Sequence, residues 1–101
     1  YNHRLQVVTT EGRFVRTIGS EGGGNLQFKN PRGVAVLEDG NLVVCDYGNK
    51  RLQIFTVEGE FVRTIPCGAS GPLGVAVLDR DHVAVGIGAP HHHIDVVRVS
   101  G

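Results

Sequence analysis

Residues 49–65 read Asn-Lys-Arg-Leu-Gln-Ile-Phe-Thr-Val-Glu-Gly-Glu-Phe-Val-Arg-Thr-Ile, and they nearly repeat residues 2–18. Twelve of the seventeen aligned positions are identical, at a fixed offset of 47 residues (49 − 2). A second stretch is also repeated, since Pro31-Arg-Gly-Val-Ala-Val-Leu returns as Pro72-Leu-Gly-Val-Ala-Val-Leu at an offset of 41 (72 − 31). Self-similarity at about 40–50 residues indicates a repeat architecture, in which one small structural unit is built several times.

Each unit reads as four short strands, which we name a to d. Strands a (residues 33–37) and b (residues 41–45) are mostly apolar runs, a pattern typical of strands covered on both faces, and we expect strand a to be the doubly buried one. The Asp39-Gly40 pair between them supplies the positive φ that a hairpin turn needs. Strands c (residues 52–55) and d (residues 61–65) follow. Strand d, Phe-Val-Arg-Thr-Ile, combines apolar and polar residues, as expected for a strand with one face partly exposed to solvent.

The chain as a whole reads c-d over residues 5–18, a-b-c-d over 33–65 and a-b-c over 74–99, with no sustained helical period. Antiparallel strands in units of about 40–45 residues predict an all-β fold, a β-propeller segment with about two and a quarter four-stranded blades. Residues 1–30 form the end of one blade and a connection, residues 31–71 a complete blade and residues 72–101 a degenerate partial blade.

A blade cannot bury its flat faces alone. We therefore expect exposed faces and open strand edges unless further blades, from the same parent chain or from an oligomer, close the ring. The chain is interpreted as a segment of a larger propeller.

Composition excludes several classes of function. Ten Lys and Arg residues balance ten Asp and Glu residues among 101, so no overall field steers the chain towards nucleic acid or a membrane. No apolar run is long enough to span a bilayer. The two cysteines, Cys45 in an apolar run and Cys67 in a Gly/Pro loop, are too few for a disulfide framework and lack zinc-ligand spacing. This usage favours a reducing compartment, and we predict a cytoplasmic protein.

Several linked motifs resemble the NHL repeat, which takes its name from an Asn-His-Leu-like stretch. They are Asn2-His3-Arg4-Leu5-Gln6, Asn49-Lys50-Arg51-Leu52-Gln53, Gln27-Phe28-Lys29-Asn30-Pro31-Arg32-Gly33 and the run from Asp39-Gly40-Asn41 to Asp46. The segment at residues 27–33 is most similar to the NHL domain of tripartite-motif proteins. The third unit departs from the pattern, because Arg80-Asp81-His82 stands where the second unit has Asp-Gly-Asn, and His91-His92-His93 stands where it has Asn-Lys-Arg.

The resemblance implies a six-bladed ring and a non-catalytic interaction module. In tripartite-motif proteins such a domain selects substrates for ubiquitination, so we expect a protein partner, with any ligase chemistry outside this chain. RNA binding is the alternative that the resemblance offers, and an extracellular sensor or scaffold is a minor one.

Propeller topology sorts the charged residues onto two rims. The d-to-a and b-to-c connections emerge on one rim, which we name the b–c rim, and the other two connections emerge on the opposite a–b rim. The b–c rim carries mostly basic or titratable residues: His3, Arg4, Lys29, Arg32, Lys50, Arg51, His91, His92 and His93, against Glu21 and Asp46. The a–b rim is mostly acidic: Glu11, Glu38, Asp39, Glu58, Glu60, Asp79 and Asp81, against Arg13 and Arg80.

The b–c rim is the predicted binding surface for an acidic protein segment or RNA, because clustered positive charge attracts both. Binding candidates are Lys29, Arg32, Lys50, Tyr47 as a stacking side chain, and His91, His92 and His93, whose protonation would strengthen anion binding as the pH falls. Repeated residues are expected to be structural instead: Arg4 and Arg51, with an Asp such as Asp46 as a partner, and Gly33 and Gly74.

Catalytic and cofactor functions have little support in the sequence. No serine lies in a Gly-x-Ser-x-Gly elbow, and strand a offers Val, Ala and Val rather than metal ligands. Alternate side chains of an extended segment point to opposite faces, so at most His91 and His93 share one ion. The Gly-rich run at residues 20–25 lacks the Lys-Ser/Thr ending of a phosphate loop and reads as a flexible connection. We predict no cofactor and no metal.

Overall fold

The turn chemistry and the apolar runs of the repeat produce a fold made of short strands. A computed structural model describes residues 4–8, 11, 13–68, 70–88 and 92–100. The strands of these residues are β1 Leu5–Val8, β2 Phe14–Ile18, β3 Ser20–Glu21, β4 Gln27–Phe28, β5 Pro31–Val36, β6 Leu42–Asp46, β7 Arg51–Phe55, β8 Phe61–Pro66, β9 Pro72–Val77, β10 His82–Ile87 and β11 His93–Arg98, with a 3₁₀ helix at Tyr47–Asn49 between β6 and β7. The predicted all-β class is confirmed.

The main strands form three antiparallel sheets whose spatial order follows the chain. The middle sheet has the order β5-β6-β7-β8, a two-stranded sheet β1-β2 precedes it, and a three-stranded sheet β9-β10-β11 follows it. These sheets match the predicted orders c-d, a-b-c-d and a-b-c. Within the described ranges, no helix is long and apolar enough to cross a membrane.

Strand register identifies equivalent positions in the middle and third sheets. Leu42 pairs with Val36 and Phe55, and Val83 pairs with the corresponding β9 and β11 residues, Val77 and Val97. Val83 therefore occupies the place of Leu42, and the remaining equivalences follow by counting along the strands. The backbone agrees with this alignment, because the residue before β7 and the residue before β11 both have positive φ, 54° at Lys50 and 44° at His92.

Two apolar layers cover the faces of the middle sheet. Val43, Cys45, Leu52 and Ile54 on one face pack against the β9-β10-β11 sheet, where the buried contributors are Val83, Val85 and Ile87. Ile18, Phe28, Val44 and Phe55 form the layer on the other face. There the rings of Phe28 and Phe55 lie 5.7 Å apart at 50°, a tilted arrangement that aromatic pairs favour.

The expectation that strand a is the doubly buried strand is wrong. In β5 the side chains of Val34 and Val36 are 50% and 63% exposed, whereas residues 43–46 of β6 and 52–55 of β7 are buried. The physical reason is position, because β5 is an edge strand and the described chain provides only a two-stranded sheet on that side. The apolar pattern of strand a therefore does not by itself determine burial, which depends on the neighbouring sheet.

The Gly-rich connection between β2 and β5 is folded and not simply a flexible connection. Its strands β3 and β4 pair in parallel, and the N–H of Gly22 donates to the carbonyl of Phe28 at 3.0 Å. Gly19 has φ 99°, and a Cβ there would lie 2.3 Å from the Phe28 ring. A glycine is therefore needed at position 19 so that Phe28 can reach the core.

The repeated glycines of strand a mark where neighbouring sheets approach. A Cβ at Gly33 would lie 3.4 Å from Gly74 Cα and 3.5 Å from the carbonyl oxygen of Leu73, whereas a Cβ at Gly74 would meet nothing within 4 Å. A side chain at this repeat position would therefore meet β9 in the middle sheet, whereas in the third sheet it would meet open space.

Replacing these two glycines tests the contact between β5 and β9. Gly33→Val adds an isopropyl group where Gly74 and Leu73 already lie, and overpacking of this kind costs about 1–3 kcal/mol in the free energy of unfolding. Gly74→Val is the matched control, and we expect a change within about 0.5 kcal/mol. Urea denaturation measures both. Equal losses in the two variants would contradict the close approach of the two strands.

Candidate functional site

A buried carboxylate joins three segments at the b–c rim. Asp46, the last residue of β6, is 0% exposed. Its Oδ1 accepts the backbone N–H of Lys29 at 2.8 Å, and its Oδ2 accepts Asn49 Nδ2 at 2.9 Å and Arg51 Nε at 2.8 Å. Buried charge is tolerated when it is paired and hydrogen-bonded in this way. The carboxylate therefore holds Lys29, which directly follows β4, together with the 3₁₀ helix and β7 in one geometry.

Arg51 extends this network into the connection that precedes β5. Its guanidinium donates to the carbonyl oxygens of Gly23 at 3.0 Å, Gly24 at 2.8 Å and Gln27 at 2.6 Å. The side chain is only 12% exposed. The planar fork of five N–H groups suits an arginine to this task, and a lysine would not reproduce it. Arg51 consequently holds the Gly-rich connection and is not presented to a ligand.

Gln53 completes the same network, a role that the sequence analysis missed. Its side chain is fully buried; its Oε1 accepts the N–H of Leu26, and its Nε2 donates to the Gln27 carbonyl at 3.1 Å. The signal for this role was the recurrence of Asn, Arg and Gln at alternate positions in residues 2–6 and 49–53. Alternate residues of a strand have side chains on the same face, so Arg51 and Gln53 can bind the same neighbouring segment.

The third unit replaces this network with different chemistry. By register, Ile87 stands in the place of Asp46, His93 in that of Arg51 and Asp95 in that of Gln53. His93 Nε2 lies 3.2 Å from Asp95 Oδ1, and these side chains are 46% and 50% exposed. A buried network has thus become an exposed pair. The predicted binding residue His91 lies outside the described residues.

Four of the predicted binding residues come together around the 3₁₀ helix, and we name Lys29, Arg32, Tyr47 and Lys50 the rim cluster. The Arg32 guanidinium lies 5.0 Å from the centre of the Tyr47 ring, within the range of a cation–π contact. The carbonyl of Lys29 accepts the N–H of Gly48 at 2.7 Å, and the N–H of Lys50 donates to the Tyr47 carbonyl at 3.1 Å. Lys29, Arg32 and Lys50 are exposed.

Two other residues of the chain lie close to the Tyr47 ring. Arg32 lies over the ring, and a Cβ added to Gly71 would come within 2.6 Å of Tyr47 Cδ1. A stacked base would therefore compete with Arg32 for the ring. His92 and His93 are predicted for the same surface. In the third sheet, His92 directly precedes β11 and His93 is its first residue, and both are exposed.

Arg4, expected to be structural like Arg51, is exposed. Together with Arg32 it lines a cleft between β1 and β5 of about 290 Å³. The structure thus places Arg4 beside a member of the rim cluster.

The a–b rim carries its own polar contacts. His82 Nδ1 lies 2.9 Å from Asp79 Oδ1, and this hydrogen bond, with a second from the N–H of Asp81, lowers the pKa of Asp79. Asp81 in turn accepts a hydrogen bond from the Ser100 hydroxyl. Across the described part of the chain, no group of three or more His, Cys, Asp or Glu side chains is arranged to hold a metal ion.

Both cysteines are free thiols with suppressed ionisation. Burial raises the pKa of Cys45 to about 12, and the proximity of Cys67 contributes further. Burial also raises the pKa of Cys67. Because the thiolate is the nucleophile, neither side chain is activated for covalent chemistry.

Comparison with protein families agrees with this geometry. The family model described as the NHL repeat matches residues 28–55, from Phe28 in the connection to the last residue of β7. An NHL repeat is thus found at residues 28–55. NHL repeats form β-propellers and are generally non-catalytic interaction modules. The matched segment contains Lys29, Asp46, Arg51 and Gln53, whereas the backbone groups of residues 23–27 that Arg51 and Gln53 bind lie just before it. A search among curated protein sequences finds no match to this chain.

Removing the central carboxylate of the NHL repeat tests the network. Asp46→Ala leaves Arg51 and the N–H of Lys29 without their acceptor, and breaking a buried pair in this way costs about 3–5 kcal/mol in the free energy of unfolding. Asp46→Asn keeps the shape and is expected to lose about 1–3 kcal/mol. The exposed Glu58 provides the control, because Glu58→Ala should change stability by less than about 0.5 kcal/mol. Urea denaturation would contradict the assignment if Asp46→Ala resembled the control.

The thiol pKa shifts predict a specific pH dependence. In the unfolded chain Cys45 ionises near its ordinary pKa of 9.0, and in the folded chain near about 12. The folded state therefore holds this proton more tightly, and the free energy of unfolding should fall as the pH rises from about 9 towards about 12. Cys45→Ala should show a smaller fall over this range. In native protein at pH 8, iodoacetamide should leave Cys45 unmodified until urea unfolds the chain; rapid native alkylation would contradict its burial.

Proposed function

We propose that this chain is a non-catalytic protein-interaction module, a part of a larger NHL propeller, and that its rim cluster binds an acidic segment of a protein partner. The observation that carries the proposal is the grouping of three exposed cations, Lys29, Arg32 and Lys50, around one 3₁₀ helix. Arg51 contributes little to this surface, since Asp46 already neutralises it.

The polar network supports the proposal because it fixes the backbone that carries these cations. Asp46 holds the N–H of Lys29, Gly48 holds the carbonyl of the same residue, and Lys50 follows the 3₁₀ helix in a left-handed conformation. A surface that is already ordered loses less conformational entropy when it binds a partner. The rim cluster is therefore suited to recognition.

We further propose that additional repeat units flank this chain. Aliphatic residues are exposed on β5, an edge strand of the middle sheet, and on β11, an edge strand of the third sheet. They are Val34 at 50%, Val36 at 63%, Ile94 at 73% and Val96 at 65%. Contiguous exposed apolar surface marks sites of association. Gly74 gives further support to this proposal. It occupies the repeat position of Gly33 in the third sheet, and a Cβ added there would meet nothing within 4 Å.

In the wider proposal, the module selects substrates for a tripartite-motif-like ubiquitin ligase in the cytoplasm. The support is the similarity of residues 27–33 to the NHL domains of those proteins, together with two cysteines that are free thiols, as is usual in reducing compartments. The chemistry of ubiquitin transfer would belong to other domains.

Charge reversal on the rim cluster tests the interaction. We expect Lys50→Glu to weaken binding of a fluorescent oligoglutamate peptide by roughly fivefold, because the variant replaces an attraction with a repulsion. Arg80→Glu on the a–b rim changes the net charge by the same amount and should leave the affinity nearly unchanged. Fluorescence anisotropy measures both. Equal weakening by the two variants would contradict the role of the rim cluster.

An oligouridine RNA of equal length separates the protein and RNA functions. Single-stranded nucleic acid that releases several counterions shows a steep dependence of affinity on salt, with a slope of about −0.7 for each phosphate neutralised. We expect the peptide to bind more tightly than the RNA at physiological salt. Tighter RNA binding with a steep salt slope, abolished by Lys50→Glu, would identify an RNA-binding module instead.

A further inference from the structure

Strands β5 and β9 each contain one residue that is left out of the strand pairing. Arg32 of β5 lies between two residues that pair with consecutive residues of β6, so it is an extra residue, as in a β-bulge. Leu73 of β9 is extra in the same way relative to β10. The two occupy the same repeat position, at an offset of 41 (73 − 32). Because a bulge re-aims a side chain, this position can present its side chain away from the face of the sheet.

Both extra residues turn towards the b–c connection of their own unit. The Arg32 guanidinium lies over the ring of Tyr47, which directly follows β6. Leu73 leans on Gly88, which directly follows β10; a Cβ added to Gly88 would lie 3.0 Å from Leu73 Cδ1. The extra residue of each unit therefore covers the start of its b–c connection and faces the b–c rim.

Arg32 and Leu73 are neighbours on this rim. Gly33 and Gly74, the residues that directly follow them, are so close that a Cβ on Gly33 would lie 3.4 Å from Gly74 Cα. Arg32 is exposed, and Leu73 is 42% exposed. A single exposed leucine is ordinary on a protein surface, but this one is aimed at the rim beside a cation of the rim cluster. The rim thus offers a positive charge and an aliphatic side chain next to each other.

We propose that Leu73 extends the rim cluster into a mixed surface, and that the partner segment carries an aliphatic side chain next to its acidic residues. The acidic residues lie against the cations of the rim cluster, and the aliphatic side chain packs on Leu73. Charge complementarity selects the acidic part of the segment, and burial of apolar surface selects the aliphatic part. This inference rests on the proposed binding of an acidic segment, and it specifies which acidic segments the site prefers.

A purely acidic segment is a poorer occupant of this surface. It would bring a carboxylate against Leu73, whose side chain has no hydrogen-bond donor to replace the lost water. An extended segment has alternate side chains on one face. An acidic residue and an aliphatic residue two positions apart can therefore contact Arg32 and Leu73 together.

Three fluorescent peptides of equal length test the preference. One is oligoglutamate, and in the other two a central glutamate is replaced by leucine or by serine. The leucine and serine peptides carry the same charge, so the ratio of their Kd values isolates the aliphatic contact. We expect the chain to bind the leucine peptide roughly five- to tenfold more tightly than the serine peptide, because part of the leucine side chain leaves water. Fluorescence anisotropy measures each Kd.

Substitutions of Leu73 localise the effect. Leu73→Ser should reduce the ratio to about one and leave the Kd of the serine peptide nearly unchanged. The matched control is Val62→Ser, because Val62 on β8 is 43% exposed and lies near the a–b rim; this variant should keep the ratio. Leu73→Arg copies the residue of the middle unit and should reverse the preference, with oligoglutamate binding about threefold or more tightly than the leucine peptide. Urea denaturation checks that each variant is folded.

Three results would overturn the inference: equal binding of the leucine and serine peptides by the original chain, equal loss of the ratio in Leu73→Ser and Val62→Ser, or self-association of the chain that Leu73→Ser abolishes. The last result would assign Leu73 to a contact between two copies.

The same peptides separate this inference from the proposed function. If oligoglutamate does not bind the chain, or if Lys50→Glu does not weaken it, the proposed function fails and this inference fails with it. If oligoglutamate binds and Lys50→Glu weakens it, but the leucine gives no advantage, this inference alone fails.

Discussion

The carboxylate of Asp46 is the interaction on which the geometry of the middle unit depends. It is fully buried, and it joins Lys29 after β4, the 3₁₀ helix and β7 through three hydrogen bonds. Arg51 carries the same constraint onward to three backbone carbonyls of the preceding connection. Because a buried charge that loses its partners is strongly destabilising, these segments are held together as one unit. The Gly-rich connection is ordered for the same reason.

This constraint also separates a cation that is occupied within the fold from cations that are exposed. Arg51 recurs in the repeat and is occupied by Asp46, whereas Lys29, Arg32 and Lys50 are exposed beside it. A count of positive residues on the b–c rim therefore overstates its charge. Arg4 recurs as well, yet it lies on an open cleft with Arg32.

The third unit shows what happens when the constraint is absent. Ile87 takes the place of Asp46, and the exposed pair of His93 and Asp95 replaces Arg51 and Gln53. The unit is held instead by an apolar layer against the middle sheet, to which Val83, Val85 and Ile87 contribute. The same backbone plan thus combines a buried polar network with aliphatic packing in one unit and has aliphatic packing without that network in the next. The departure of the third copy from the repeat was visible in the sequence, but its structural meaning was not.

The sequence by itself determined the strands, their order and the alignment of the units, because these depend on local apolar periodicity, Asp-Gly turns and a repeat with fixed offset. It also indicated the pairing of Arg51 with Asp46, since recurrence at one position points to a structural role. Tertiary structure decided which strands are doubly buried, because burial of Val34 and Val36 depends on a neighbouring sheet and not on their own pattern. It alone revealed the burial of Gln53, the contact of Arg32 with Tyr47 and the cleft between β1 and β5, because each joins residues distant in sequence.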